Sequence, residues 1–429
     1  MQLVAYGAQD VYLTGNPQIT FFKVVYRRHT NFSMESIKQT WNGSEIADGR
    51  CTATISRNGD LVHKMWIELR NGNVQSDNTG SISDLIDTVE VEIGGQIIDK
   101  QSGAFMQAWN ELTQTASIDY EDTKNSTLFH NTVGITGLLD EGSSRFIPLN
   151  FWFCKNAGLA LPLIALQYHE VKIILNHRLS SSYIDAKVVS NDLWVDYIYL
   201  DTDERRRFAQ VSHEYLIEQV QEQVLEPKSG DHALHFNHPV KELIWFSTLS
   251  SVDVIGPANG GGPTFPAVKH SSLIDASYTL KLNGHERFAA RPHSYFSRVQ
   301  IHQHHSGDGG NNSFFLAAIS GTDEANAFDV IEAARYTDIG PIGLICDSIC
   351  VYSFALNPEE HQPSGTCNFS RIDTAVLNTG SVSIVDKVDA NLTIATFSLA
   401  GLAITPRIVA INYNVLRIMS GMGGLAYSN

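Results

Sequence analysis

The feature that most constrains the fold of this chain is an internal repeat. Four stretches of the first half have counterparts in the second half, in the same order, and the spacing between counterparts grows slowly, as loop insertions in a second copy would cause. The matched positions are Trp66 with Trp245, Gly95 with Gly284, Phe153 with Phe354, and Tyr197 with Tyr413. Any one match could join two unrelated strands, but four collinear matches predict two similar domains of about 200 residues each.

Each half is dominated by period-two alternation, which is typical of half-buried antiparallel strands. In "TVEVEIGGQ" the apolar Val89, Val91 and Ile93 alternate with glutamates, so the apolar side chains share one face. The two glycines that follow supply the positive φ of a tight hairpin. Similar runs are "LVHKMWIELR", "YHEVKIIL" and "LWVDYIYL". Many short strands in a domain of this size predict a sandwich or a jelly roll.

Helix signals are few and lie between strands. "GAFMQAWNEL" predicts one short helix, and "TDEANAFDVIEAARY" predicts a second with Thr322 or Asp323 as its N-cap. "GMGGLA" near the end lacks the βαβ context of a dinucleotide site. We expect its glycines to turn tightly or to pack against another backbone.

Composition excludes several classes of protein. The 429 residues include 46 acidic and 30 basic residues, a net charge of −16, whereas affinity for phosphate backbones comes from Lys and Arg. The N-terminus lacks a signal-peptide pattern, and no apolar run approaches the roughly 20 residues that cross a bilayer. Five scattered cysteines fit a reducing compartment. We expect neither a secreted nor a membrane-spanning protein, and no direct nucleic-acid partner.

"QIHQHHSGDGG" is the main candidate for metal chemistry. His302, His304 and Asp308 are the candidate ligands, because imidazoles two residues apart on a strand share a face and can chelate, as in cupins. The alternative is a polar loop at the end of a strand, and the downstream glycine and histidine strand of a cupin is not found. Motifs of nucleotide sites and hydrolases are also not found. We therefore expect no enzyme and no cofactor, with a cupin-like metalloenzyme as a less favoured alternative.

"QITFFKVVYRRHTNF", residues 18–32, combines aromatic and basic residues near the start. Residues 1–34 sum to a charge of only +2, which is too little for strong phosphate binding. If the run is extended, Phe22, Val24 and Tyr26 share one face. The pattern therefore predicts a strand that enters the first domain, preceded by an arm.

Long stretches in both halves resemble the major capsid proteins of large icosahedral DNA viruses, especially those that infect algae. They include "LVAYGAQDVYLTGNPQITFFKVVYRRHTNF", "GLALPLIALQYHEVKI", "WVDYIYLDTDERRRFAQ", "YSFALNPEEHQPSGTCNFSRID" and "NYNVLRIMSGMGGLAYSN". The resemblance implies an all-β chain of two tandem eight-stranded antiparallel jelly-roll barrels with short helical insertions in loops. It also implies a homotrimer, a pseudo-hexagonal capsomer that assembles into the shell of a double-stranded DNA virus.

On this basis we expect an N-terminal arm at 1–25, a first jelly roll at 26–212, a linker at 213–228 and a second jelly roll at 229–429. By resemblance the arm lies on the inner side of the capsomer and touches neighbouring capsomers or minor capsid proteins. The residues assigned to this assembly arm are Tyr12, Asn16, Pro17, Phe21, Phe22, Lys23, Tyr26, Arg27 and Arg28. The expected location is the virion, with synthesis and assembly in the host cytoplasm.

The outer surface carries two further expectations. Candidate glycosylation sites are Asn125, Asn311 and Asn391, although the family attaches sugar at atypical positions. The stretch from 308 to about 345 is longer than in the family, and we expect an outward loop that affects host contact, including host-surface glycans. The alternative function is a carbohydrate-binding jelly-roll protein that serves as a minor capsid or attachment protein.

Overall fold

The computed structural model describes residues 8–24, 26–71, 85–113, 144–179, 188–226, 230–249, 277–307, 349–379 and 404–427. No helix among these residues combines the length and the apolarity needed to cross a membrane. The strands of the first half are β1 Phe32–Gln39, β2 Trp41–Gly43, β3 Gly49–Thr54, β4 Leu61–Asn71, β5 Ile86–Ile93, β6 Gln96–Ser102, β7 Ser144–Pro148, β8 Leu161–Pro162, β9 Val171–His177 and β10 Val188–Leu200.

The second half repeats this succession. Its strands are β11 His213–Val224, β12 Gly230–Leu234, β13 Pro239–Leu249, β14 Ser277–Leu282, β15 His285–Glu286, β16 Arg291–Pro292, β17 Cys350–Ser353, β18 Cys367–Asn368, β19 Ala375–Thr379, β20 Ile404–Met419 and β21 Met422–Leu425.

Helices are short and lie between strands. The α-helices are Val11–Thr14, Gly103–Thr113, Trp152–Lys155, Thr202–Gln210 and Gln300–His304, with a π-helix at Tyr295–Val299 and 3₁₀ turns at Ala157–Leu159 and Phe369–Arg371. The helix predicted from "GAFMQAWNEL" is confirmed: the Ser102 hydroxyl accepts a hydrogen bond from the amide of Phe105 at 3.1 Å and caps its first turn. The helix predicted within "TDEANAFDVIEAARY" lies outside the described residues.

The strand order is the same in both halves, apart from β2, which is an additional edge strand in the first half. The first half forms sheets β1-β10-β4-β7 and β2-β3-β9-β5-β6, and the second half forms β11-β20-β13-β17 and β12-β19-β14-β15. Each sheet mixes strands from the start and the end of its half, as the two Greek keys of a jelly roll require. We call β1–β10 the first barrel and β11–β21 the second barrel; the predicted double jelly roll is confirmed.

Each barrel has its own core. Val91, Ile173 and Val195 are buried between the sheets of the first barrel. The second core is centred on aromatic rings, with Trp245 and Phe296 at 5.1 Å between ring centroids in a tilted arrangement. Offset and tilted ring pairs of this kind add stability beyond the area they bury.

The hairpin match of the sequence repeat is confirmed at residue level. Gly94 and Gly95 turn between β5 and β6 with φ of 58° and 87°, and Asn283 and Gly284 turn between β14 and β15 with φ of 50° and 78°. Glycine and asparagine tolerate this left-handed backbone better than other residues. The same two-residue turn therefore closes the same hairpin in each barrel.

Two other matches of the repeat, Trp66 with Trp245 and Tyr197 with Tyr413, join corresponding strands, but their alignment is shifted by one residue. Trp245 lies in the second core, and its counterpart by strand pairing is the core residue Ile67 rather than Trp66. Tyr197 likewise corresponds to Asn412 rather than to the residue after it. Because side chains alternate between faces, a slip of one residue moves each of them to the opposite face of the sheet.

The segment expected to be a linker, 213–228, is a strand for most of its length. His213–Val224 pairs residue by residue with β20. The partner strand is distant in the sequence, so local composition gave no sign of the pairing. The chain passes between the barrels through the helix Thr202–Gln210, which Asp201 caps by accepting a hydrogen bond from the amide of Thr202 at 2.7 Å.

Candidate assembly surfaces

The candidate metal ligands do not form a chelating pair. His302 and His304 lie in the helix Gln300–His304, and side chains two apart on a helix do not share a face, so the strand on which the prediction rested is wrong. His304 Nδ1 lies 3.0 Å from the carbonyl oxygen of Leu356, and Asp308 is outside the described residues. Nowhere in the described ranges do three or more His, Cys, Asp or Glu side chains form a group that could hold a metal ion.

The neighbouring histidine, His305, has the structural role that the sequence reading missed. Its Nδ1 lies 3.0 Å from Glu359 Oε1, and its Nε2 lies 3.1 Å from Glu242 Oε2. Burial by itself would lower the pKa of His305, but the carboxylates of Glu242 and Glu359 raise it to about 9. The imidazole is therefore charged at neutral pH, and we call these three residues the His305 cluster.

The His305 cluster lies against the first barrel. The ring of Trp109, in the helix Gly103–Thr113, meets the His305 ring edge-on at 6.1 Å. The last turn of that helix bonds to the residues after His305: Gly307 donates to the Leu112 carbonyl at 2.8 Å, and the Ser306 hydroxyl donates to the Thr113 carbonyl at 3.0 Å. The contact thus provides partners for carbonyl groups that a helix end leaves unpaired.

A second ionic group joins the barrels beside it. Glu218 of β11 accepts hydrogen bonds from Lys155 of the first barrel at 2.9 Å and from Lys241 of β13 at 2.7 Å, and we call these residues the Glu218 cluster. Burial by itself would raise the pKa of Glu218, but the two ammonium groups lower it to about 2. The Lys241 side chain is fully buried. The sequence signal was the pair of charges in "VKELIWF", an otherwise apolar strand.

Strand β11 also contacts the first barrel through its backbone edge. The amide of Val220 donates to Asp99 Oδ1 at 2.9 Å, and the Gln219 side chain donates to the Ile98 carbonyl. Asp99 and Ile98 belong to β6. An edge strand that would otherwise be open is thus covered within the chain.

Apolar packing surrounds these polar contacts. Phe105 and Trp109 of the helix pack on the outer face of the second barrel, against Ile244, Val409 and neighbouring residues. The resulting interface combines buried apolar area with buried ion pairs and hydrogen-bonded groups.

The β20–β21 hairpin of the second barrel reaches the first barrel as well. Tyr168 donates its amide to the Gly421 carbonyl at 3.0 Å. Gly421 has φ of 81°, and a Cβ there would lie 2.6 Å from the Tyr168 ring. A Cβ on Gly423 would lie 2.7 Å from Leu166. The predicted tight turn is confirmed at Gly421, and the atoms that approach Gly421 and Gly423 most closely belong to side chains rather than to another backbone.

The N-terminal arm and β1 contrast with these covered surfaces. Described residues of the arm are almost all exposed, with Tyr12 at 90% and Phe22 at 99%. The strand predicted across residues 21–27 is wrong, because the first strand begins at Phe32 and no described strand lies beside the preceding residues. In β1 itself, Phe32 and Met34 remain about half exposed.

All nine assigned arm residues are therefore accessible: Tyr12, Asn16, Pro17, Phe21, Phe22, Lys23, Tyr26, Arg27 and Arg28. The glycosylation candidates Asn125, Asn311 and Asn391 fall outside the described residues.

Two family models match almost the whole chain. "Major capsid protein N-terminus" matches residues 20–201, and "Large eukaryotic DNA virus major capsid protein" matches residues 204–309 and 328–424. The two matches fall on the two barrels, and residues 310–327 remain unmatched between the parts of the second.

Curated relatives and solved structures agree with these models. The major capsid protein of Pyramimonas orientalis virus is 50% identical over 444 residues, with 100% of this chain and 99% of that protein covered. The major capsid protein of Paramecium bursaria Chlorella virus 1 is 39% identical over 475 residues, with the same coverage. A quasi-atomic model of the PBCV-1 virus capsid superimposes with a TM-score of 0.70 at 34% identity, covering 96% of this chain and 100% of that one.

These matches confirm the resemblance read from the sequence and identify a structural protein rather than an enzyme. They favour the shell subunit over the attachment protein and the cupin-like metalloenzyme. The chain therefore belongs to the family of large eukaryotic DNA virus major capsid proteins, structural subunits of an icosahedral capsid.

Proposed function

We propose that three copies of this chain form a pseudo-hexagonal capsomer, the unit that tiles the capsid shell. The observation that supports this is the repeated barrel: one chain carries two barrels with the same strand order. Three such chains around a threefold axis supply six similar barrels, and a ring of six similar units has nearly hexagonal edges. Side-by-side packing of such rings covers a flat facet.

The mass of the purified protein in solution tests the trimer. Native mass spectrometry and sedimentation at several concentrations should give three times the mass of one chain. A chain that remains monomeric at the highest concentration would contradict the proposal. A stable dimer would contradict it too, because a twofold arrangement cannot place six barrels in a ring.

The arm, residues 1–25, is proposed to bind neighbouring capsomers or minor capsid proteins on the inner side of the shell. Exposed aromatic side chains such as Phe21, Phe22 and Tyr26 support this, because contiguous exposed apolar groups mark interaction sites. Deleting residues 1–20 should leave trimers intact and impair the assembly of shells, as seen by electron microscopy. Normal particles from the truncated protein would exclude an assembly role.

The outer loops are proposed to meet the host, including its surface glycans. Residues 310–327, which the family model leaves unmatched, support a segment that departs from the family pattern. Virions that lack residues 308–340 should assemble normally but attach poorly to host cells. Normal attachment would argue against this role.

Peptide mass spectrometry of virions would test whether Asn125, Asn311 and Asn391 carry sugars. Imaging of infected cells would test assembly in the host cytoplasm.

A further inference from the structure

The contact between the two barrels of one chain suggests how one copy meets the next. Within the chain, the first strand of the second barrel, β11, lies against β6 and Lys155 of the first barrel. The first strand of the first barrel, β1, pairs with β10 on one side and with no described strand on the other. Open strand edges are usually covered or paired.

Strand pairing fixes which residues of β1 and β11 correspond. In the first barrel β1 pairs with β10 and β10 pairs with β4, and in the second barrel β11 pairs with β20 and β20 pairs with β13. Both β4 and β13 have a bulge near their beginning. Counted from that bulge, Met34 of β1 corresponds to Glu218 of β11, and Glu35 corresponds to Gln219. Both residues of β11 contact the first barrel, whereas Met34 is 48% exposed and Glu35 is exposed.

The receiving surface has a counterpart on the second barrel. Asp99 stands opposite Val91 across the β5–β6 hairpin, and the amide of Arg287 donates to the carbonyl of Leu280, which is the corresponding residue of β14, at 2.7 Å. Arg287 therefore occupies the place of Asp99, and it is exposed.

The other part of the receiving surface lies just after β7 in the first barrel and just after β17 in the second barrel. By strand pairing, Ile147 of β7 corresponds to Cys350 of β17, because they lie opposite the corresponding residues Ile67 and Trp245. Counted from there, Lys155 corresponds to Pro358, whose carbonyl accepts a hydrogen bond from Lys241. Leu356 is 73% exposed, and its backbone is held by hydrogen bonds to Ser364 and His304. An exposed leucine on an ordered backbone thus lies two residues before the position that corresponds to Lys155.

The substitutions are complementary on the two sides. In place of the ion pair Glu218–Lys155, the open surfaces offer two apolar side chains: Met34 at the position of Glu218, and Leu356 close to the position of Lys155. In the intrachain contact Gln219 lies beside Ile98 and Asp99. On the open surfaces the acidic Glu35 takes the position of Gln219, and the basic Arg287 takes the position of Asp99. Burial of apolar area and opposite charges would both favour contact between these surfaces.

We propose that β1 of one copy binds the second barrel of a second copy, with Met34 against Leu356 and Glu35 beside Arg287. This inference rests on the proposed trimer and names its interface. The contact repeats the intrachain arrangement between chains, so each barrel meets the next one in the same sense around the ring. A head-to-tail contact of this kind closes into a ring when the rotation fits, here with three copies.

Thiol cross-linking of the full-length protein tests the pairing directly. In the double variant Met34→Cys/Leu356→Cys, a short bis-maleimide should link chains up to a covalent trimer on denaturing gels. The wild type and each single variant should give no covalent trimer, since the described cysteines are buried or only partly exposed. A double variant that forms trimers in solution without cross-linked products would overturn the inference.

Charge and polarity variants provide the second measurement. Met34→Asp should raise the trimer dissociation constant at least tenfold, whereas Val224→Asp, at a position 55% exposed outside the proposed surface, should not. Glu35→Arg should weaken the trimer, and adding Arg287→Glu should restore it. A wild-type monomer would contradict the trimer itself, while a wild-type trimer that tolerates Met34→Asp and Glu35→Arg would contradict only this interface.

Discussion

The first strands of the two barrels hold the same place in the same fold but have opposite surroundings. Strand β11 is covered along one edge by the first barrel, and its Glu218 lies in a buried ionic cluster. Strand β1 has an exposed outer surface, and its ion pair between Lys38 and Asp192 is at the surface, with Lys38 53% exposed. We therefore expect the environment of a charge, rather than its position in the strand, to decide how much it stabilises the chain.

The largest effect is expected where a buried charge loses its partner. Lys241→Met should lower the free energy of unfolding by about 3–5 kcal/mol, because Glu218 stays buried with one cation fewer. Urea unfolding of the purified protein measures this. The double variant Lys241→Met/Glu218→Gln should recover part of the loss, since no uncompensated charge remains. A single variant with wild-type stability would show that the Glu218 cluster does not stabilise the contact between the barrels.

The His305 cluster predicts that the free energy of unfolding depends on pH, with a change of similar size. The pKa of His305 is raised to about 9 from about 6.5 in an unfolded chain. The stabilisation is therefore fully present below pH 6.5 and is lost as the pH rises through 9, by about 3 kcal/mol in total. Urea midpoints measured across this range should fall with increasing pH.

The variant His305→Gln separates this effect from other titrations. It should be less stable than the wild type at neutral pH, because Glu242 and Glu359 then face each other without a cation. Its stability should change less between pH 6.5 and 9. An equal decline in both proteins would assign the pH dependence to other groups.

A smaller effect distinguishes the docked hairpin from a free one. Gly421→Ala should cost about 2 kcal/mol, because an added methyl group meets Tyr168 at 2.6 Å on a backbone with positive φ. Gly284→Ala is the matched control, since its φ is 78° and no atom lies within 4 Å of the added methyl group. The control should cost only about 1 kcal/mol, from the backbone alone. Equal losses of unfolding free energy would mean that the hairpin does not dock tightly.

Local patterns in the sequence predicted several of the strands and the division into two similar domains. Alternation and the glycine turn after β5 are local signals, and they repeat in the second half. The residue register of the repeat was less accessible, because an alternating strand looks similar when shifted by one position, as at Trp66 and Ile67. Overall composition could not reveal that 213–224 pairs with a strand almost 200 residues later.

The polar contacts between the barrels could not be predicted from local sequence patterns, for a different reason. His305 acts with Glu242 and Glu359, which are remote in the sequence, so its role depends on the fold being formed. His302 and His304 were predicted to share one face of a strand, whereas the chain is helical there. The exposed arm shows the converse: alternation in "FFKVVYRR" indicated a strand, but alternation alone does not provide a partner.

The smallest effect is expected at the exposed counterpart of the buried lysine. Lys38→Met removes an ion pair with a nitrogen–oxygen distance of 2.6 Å, closer than the 2.7 Å of Lys241 and Glu218. Despite the shorter distance, the free energy of unfolding should change by less than about 1 kcal/mol, because water screens the pair and solvates Asp192 when Lys38 is lost. Urea unfolding beside Lys241→Met measures both under one condition. A loss at Lys38 as large as at Lys241 would show that distance rather than burial sets the strength of these pairs.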